Sequence, residues 1–212
     1  MPNLPISQLP TPNPLTGDEL FAIVQDGVTK QTTLDSITYA PTNNHGLFAQ
    51  TANSTPVTAT TTETTLINGG VGTLSVPANG FNIGDSFRAI FGGVLNVANN
   101  QTIRIRVKTG AVILLDSGAQ SLAGISNNVY NLHIDFTIRT LGAAGVASIV
   151  SLGAFNYVKT SNGAVEGFGF NTVNNTTFDT TINNTLDVTV QWGSTNVGNS
   201  IFSDIFILNK IY

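Results

Sequence analysis

The sequence predicts an all-β fold: an antiparallel jelly-roll-like β-sandwich, preceded by an extended arm and a β-hairpin. Apolar and polar residues alternate with a period of two in several segments. Clusters of Gly, Asn, Asp and Pro separate these segments into strand-sized pieces. No stretch keeps the 3.6-residue period of an amphipathic helix. Many strands at such spacing are typical of antiparallel sandwiches, including jelly rolls.

The composition narrows the functional class. The 212 residues are 41% hydrophobic, enough for a real core, but only 9% charged, against about 25% in an average soluble protein. A net charge of −4 argues against a nucleic-acid partner. The absence of cysteine excludes a disulfide framework, cysteine-ligated zinc and a thiol nucleophile. No apolar run approaches the ~18 residues of a membrane helix, and the first residues lack the basic and apolar regions of a signal peptide, so we expect neither membrane insertion nor classical secretion.

Residues 1–39 are predicted to form an N-terminal arm and hairpin. Residues 1–15 hold five of the eight prolines, which favours an extended arm that pairs little with itself. Farther along, Asp26-Gly27 separates two β-prone runs, and this dipeptide favours a type I′ hairpin turn. We therefore expect strands at about 20–25 and 28–33. A lone hairpin is only marginally stable, so it should pack on another protein or on the same chain's C-terminal domain.

Residues 40–65 are predicted to be a polar, Thr-rich linker. Threonine is also tolerated in strands, so residues 57–67 remain open to being the first strand of the next domain. Residues 66–212 are predicted to form the sandwich. In its clearest strands every second residue is apolar: Phe87, Ala89 and Phe91; Ile103, Ile105 and Val107; Leu132, Ile134, Phe136 and Ile138; Leu186, Val188, Val190 and Trp192.

The residue types that carry catalysis are scarce. His45 and His133 are the two histidines, too few for the usual three- or four-ligand metal site without cysteine. We predict no catalytic residue, no metal and no cofactor. Two acids from distant strands could still meet in space, so a glycan hydrolase is kept as a third alternative. Trp192 closes an alternating strand, and a core position is favoured over a sugar-stacking one.

Arg104, Arg106 and Lys108 form a basic stripe on one strand and are the candidate surface-recognition residues. One interpretation is that they bind an anionic glycan or partner. The favoured interpretation is cross-strand pairing, with the strand that carries Asp135 and Arg139 supplying the opposite side. Pairing of the stripe with another subunit is left open.

The N-terminal motifs resemble a known family. Residues 4–10 (LPISQLP), 15–20 (LTGDEL) and 24–33 (VQDGVTKQTT) are similar to the N-terminal segment of tailed-phage virion proteins, which include tail fibres, head fibres and capsid decoration proteins. Residues 72–88 look like the opening of C-terminal β-sandwich domains in similar proteins, and residues 103–108 continue that likeness.

The resemblance implies attachment to a virus particle. It implies a non-enzymatic phage structural protein: a homotrimeric capsid decoration (cement) protein or short head fibre, made in the host cytoplasm and located on the particle surface. Its partners would be its own copies and the major capsid protein or other virion proteins, with no nucleic acid and no membrane. The alternative is a tail-fibre receptor-binding head whose loops, such as 123–131 or 171–184, contact a host glycan. The expected buried anchors are Leu9, Leu20, Phe21, Ile23 and Val24.

Overall fold

A computed structural model describes residues 20–33, 45–160 and 162–212. The chain divides into two compact units, residues 1–42 and 43–212, and each is described by itself. The predicted arm at 1–15, and with it Leu9, lies outside the described residues.

The described part of the first unit is a two-stranded hairpin, as predicted. Strands β1 (Leu20–Gln25) and β2 (Val28–Thr33) are antiparallel, and Gln25 pairs with Val28 across the turn. Asp26 and Gly27 take φ values of 55° and 73°. A type I′ turn requires positive φ at both central positions, and glycine adopts it without steric cost. The Asp-Gly pair therefore specifies the hairpin locally.

The second unit is an all-β sandwich with fourteen strands. No helix occurs in its described residues, and none in the described chain is long and apolar enough to cross a membrane. The strands are β3 (His45–Gln50), β4 (Val57–Thr58), β5 (Thr64–Thr65), β6 (Gly70–Gly72), β7 (Ser75–Val76), β8 (Ser86–Val97), β9 (Gln101–Thr109), β10 (Val112–Asp116), β11 (Gln120–Leu122), β12 (Ile125–Thr140), β13 (Ser148–Val158), β14 (Val165–Asn174), β15 (Asn184–Trp192) and β16 (Ser200–Lys210).

Two antiparallel sheets enclose the core. The larger sheet has the order β14-β13-β12-β8-β16-β3-β6, and β4 also pairs with β16. The smaller sheet has the order β10-β9-β15-β5, with β11 beside β9 and β7 beside β15. The predicted all-β antiparallel sandwich is confirmed. Its finer description as jelly-roll-like stays a prediction.

The predicted apolar alternation faces the core. All the alternating residues named from the sequence are buried, and the cluster they form takes side chains from both sheets. Aromatic pairs join neighbouring strands; the rings of Phe91 and Phe206 stack with centroids 4.1 Å apart. Trp192 is 1% exposed, and its indole N–H donates to the carbonyl oxygen of Val57 at 2.9 Å. The core position favoured for Trp192 is therefore confirmed.

The predicted linker is largely part of the sandwich. β3 pairs with both β16 and β6, β4 pairs with β16, and β5 pairs with β15. A domain boundary at residue 66 is therefore too late, because both sheets already contain earlier strands. β4 and β5 have only two residues each, too short to create a period-two signal among the surrounding threonines.

Candidate attachment site and charged strand face

The hairpin exposes apolar side chains. Phe21 is 40% exposed, Val24 is 74% exposed and Val28 is 57% exposed. Ile23 is half-buried. A folded chain gains stability by removing such side chains from water, so exposed apolar residues on a hairpin point to a surface that gains its burial from a partner.

These apolar residues lie on both faces of the hairpin. Side chains alternate along a strand, and the register pairs Val28 with Gln25, two residues beyond Ile23. Phe21, Ile23 and Val28 therefore share one face, and Val24 lies on the other. Of the five predicted anchors, the structure brings Phe21 and Ile23 together and separates them from Val24. Leu20 is placed only as the first residue of β1.

The basic stripe is paired with carboxylates. Arg104 Nη2 lies 2.5 Å from Asp116 Oδ2, and Arg106 Nε lies 3.2 Å from the same oxygen. Arg106 Nη1 and Lys108 Nζ lie 2.8 and 2.9 Å from the two oxygens of Glu63. We call these five residues the charged network. Because each cation already faces a carboxylate, the arrangement favours pairing within the chain over recognition of a free anion.

The pairing partners differ from those predicted. β9 carries the stripe and pairs with β10 and β15, whereas β12, which carries Asp135 and Arg139, belongs to the larger sheet. Asp135 instead accepts a hydrogen bond from Arg88 Nε at 2.7 Å. The stripe does pair with a carboxylate on a neighbouring strand, as predicted, but that strand is β10, which carries Asp116, and not β12. The sequence did not indicate which strands are neighbours, because long-range packing sets the order of strands in a sheet.

Glu63 is the member of the network that the sequence did not reveal. It lies in the short connection between β4 and β5, inside the segment predicted as a linker. Thr189 Oγ1 donates to Glu63 Oε1 at 2.7 Å. Burial acts to raise the pKa of Glu63, but hydrogen bonds from Lys108 and Thr189, together with the charge of Arg106, lower the pKa overall. A single acid among threonines was its only sequence signal.

The network also holds Asp116 in its charged form. Hydrogen bonds from Arg104, and from the backbone N–H of Gly118, lower the pKa of Asp116 from 3.8 to about 2 although burial opposes them. The same hydrogen bond raises the pKa of Arg104. A carboxyl with a lowered folded-state pKa stabilises the fold above its ordinary pKa and loses that contribution as pH falls through the folded value.

We predict that Asp116→Asn lowers the free energy of unfolding by about 2 kcal/mol at pH 7, the value of a shift of this size. The difference from the unmodified chain should shrink between about pH 4 and pH 2, as its own Asp116 becomes protonated. Urea unfolding at a series of pH values measures this. Asp204→Asn, on an exposed residue of β16, is the matched control. If the free energy of unfolding of Asp116→Asn is still lower by the same amount at pH 2, that result would contradict the pairing described for Asp116.

The two histidines belong to strands of the larger sheet. His133 is exposed on β12, and His45 begins β3. In the described ranges no group of three His, Asp or Glu side chains could hold a metal ion.

The suggested recognition loop at 123–131 is mostly strand, since β12 begins at Ile125. Of 171–184, residues 175–183 form the loop, and the buried Asn174 side chain organises it by accepting three backbone N–H bonds.

The chain was compared with family models, curated proteins and solved structures, and none of them matches it.

Proposed function

We propose that this chain is a non-enzymatic structural protein of a tailed-phage virion, a capsid decoration protein or short head fibre that docks through its N-terminal hairpin. The observation that carries the proposal is the exposure of Phe21, Val24 and Val28 on a hairpin that forms part of its own compact unit. A two-stranded hairpin with apolar residues on both faces has too little core to be stable by itself. Docking on a neighbouring protein supplies the missing burial.

The sandwich suits the role of an outward-facing head. Its core is continuous across both sheets, and the charged network ties β9 to β10 and to the β4–β5 connection. The resemblance of residues 4–33 to virion attachment segments agrees with this division into a docking unit and a head.

We further propose that the head is a homotrimer held by the outer face of the larger sheet. A row of apolar residues crosses that face, in which Val94 pairs with Phe202 on one side and with Val129 on the other. Val129, Leu152 and Ile205 on this face are exposed. Three docking hairpins on one rigid trimer bind far more tightly than one, because the second and third contacts form at high effective concentration.

Two measurements test the proposal. Light scattering of the purified chain should give a mass near three times 22.2 kDa. Particles that lack the protein should bind it when it is added, and the decorated particles should withstand a higher temperature before they open. A monomer that leaves the particles bare and their heat stability unchanged would overturn the proposal.

A receptor-binding head is the second candidate. The observation that favours it is the polar loop at 175–183, where Thr176, Thr177, Thr181 and Asn183 are exposed. Hydroxyl and amide groups on a surface loop suit hydrogen bonding to a host glycan. This function predicts that the chain binds to host cells and that decoration leaves the heat stability of the particle unchanged.

A further inference from the structure

A cavity opens between the two sheets at the end of the sandwich where β8 begins and β16 ends. Its volume is about 150 Å³. Four phenylalanine rings and several aliphatic side chains form its wall. The wall includes Val76, Phe81, Phe87, Leu114, Phe136 and Phe178.

The polar groups around the cavity already have partners. Asp85 Oδ1 lies 2.6 Å from Lys210 Nζ, and Asp85 Oδ2 accepts the backbone N–H of Asn82 at 2.9 Å. Thr109 Oγ1 donates to Asn184 Oδ1 at 3.1 Å. Asn184 in turn donates to two backbone carbonyls. A ligand would therefore find hydrocarbon on the wall, and few free hydrogen-bonding groups.

An apolar wall whose polar neighbours are already paired favours a neutral apolar ligand over water or an ion. Water in a buried cavity needs two to four polar partners, whereas apolar cavities of about this volume stay dry and accept benzene-sized molecules. A charged ligand would have to compete with the Asp85–Lys210 ion pair, at a desolvation cost that a small molecule does not recover.

β7 is the most weakly paired side of the cavity. β7 covers one side and pairs with β15 through only two residues, Ser75 and Val76. The turn that follows it, residues 77–80, is exposed. Opening this short strand breaks few hydrogen bonds, so local opening there is easier than anywhere in the long strands.

We propose that this cavity is a binding site for one small neutral apolar molecule, the size of a single aromatic ring. All the residues that line the cavity belong to the second unit, and the proposal does not depend on the function proposed above.

The test uses toluene as the probe and the full chain as the protein. Toluene at about ten times its dissociation constant should raise the Tm by about 3 °C and shift the NMR signals of residues around the cavity. Benzoate, which has the same ring with a charge, should do neither. Val76→Phe and Leu114→Phe put an extra ring into the cavity and should abolish both responses.

Val197→Phe is the matched control, because Val197 is 92% exposed and lies outside the cavity lining. It should respond to toluene as the unmodified chain does. If Leu114→Phe fails to fold, Val76→Phe at the partly exposed rim still decides the matter. No response in the unmodified chain, or an equal response in folded Val76→Phe, would overturn the proposal.

Discussion

Replacing both Phe21 and Ile23 by serine is expected to reduce the number of copies bound per particle at least about tenfold, while the Tm of the sandwich stays unchanged. The two side chains lie on one face of the hairpin, and Phe21 is exposed. Burying each in an interface contributes about 1.5–3 kcal/mol, and about 1.4 kcal/mol corresponds to a tenfold change in affinity. Sedimentation of particles with bound protein, followed by quantitation of the copies, measures the loss.

Two controls sharpen this prediction. Val24→Ser removes an apolar side chain from the opposite face of the same hairpin, so comparison of the two variants identifies the face that docks. Val71→Ser removes an exposed apolar side chain from the sandwich and should leave the copy number unchanged. If the double variant binds as well as the unmodified chain, the hairpin is not the docking element.

Trp192→Ala is expected to cost about 4 kcal/mol of unfolding free energy, the largest stability loss that we predict. The indole is buried, and loss of so large a side chain leaves a cavity in the core. The carbonyl oxygen of Val57 also loses its N–H donor, and an unpaired buried polar group adds to the cost. Urea unfolding measures the change, and the charged network should remain intact in the folded fraction.

Trp192→Phe separates the two contributions, because it fills most of the space but cannot donate to Val57. Its loss should be about half that of the alanine variant. Tyr212→Ala removes an exposed aromatic ring instead and should cost less than about 1 kcal/mol. A Trp192→Ala chain that keeps its stability but loses binding to a glycan would restore the sugar-stacking interpretation.

Local patterns made the hairpin and the long strands predictable. The Asp26-Gly27 turn is decided by the backbone angles of its own two residues, and strands such as β9 and β15 carry their inward alternation in the sequence. Residues 57–67 were left open as one strand, and their division into β4 and β5 was not predicted, because a two-residue strand is defined by its partner rather than by its own composition. Their pairing with β16 and β15 spans more than a hundred residues of chain.

The candidate sites were less predictable for the same reason. Arg104, Arg106 and Lys108 were recognised as a stripe, but Glu63, the partner of Arg106 and Lys108, comes from a segment without periodicity. The apolar cavity draws its wall from strands of both sheets, so no single stretch of sequence contains it. The alternation of apolar and polar residues indicates which side chains point inward, but it does not indicate where the side chains of the two sheets leave a cavity between them.

The pairing of β3 with β16 decides at which end of the sandwich an added polypeptide would be displayed. His45, the first residue of β3, pairs with Lys210, the last residue of β16, so a polypeptide joined after Tyr212 would emerge beside the start of β3. The eleven residues of β16 carry the chain about 33 Å from there to the loop that contains Val197. An epitope inserted at Val197 would therefore lie at the end of the sandwich opposite the start of β3.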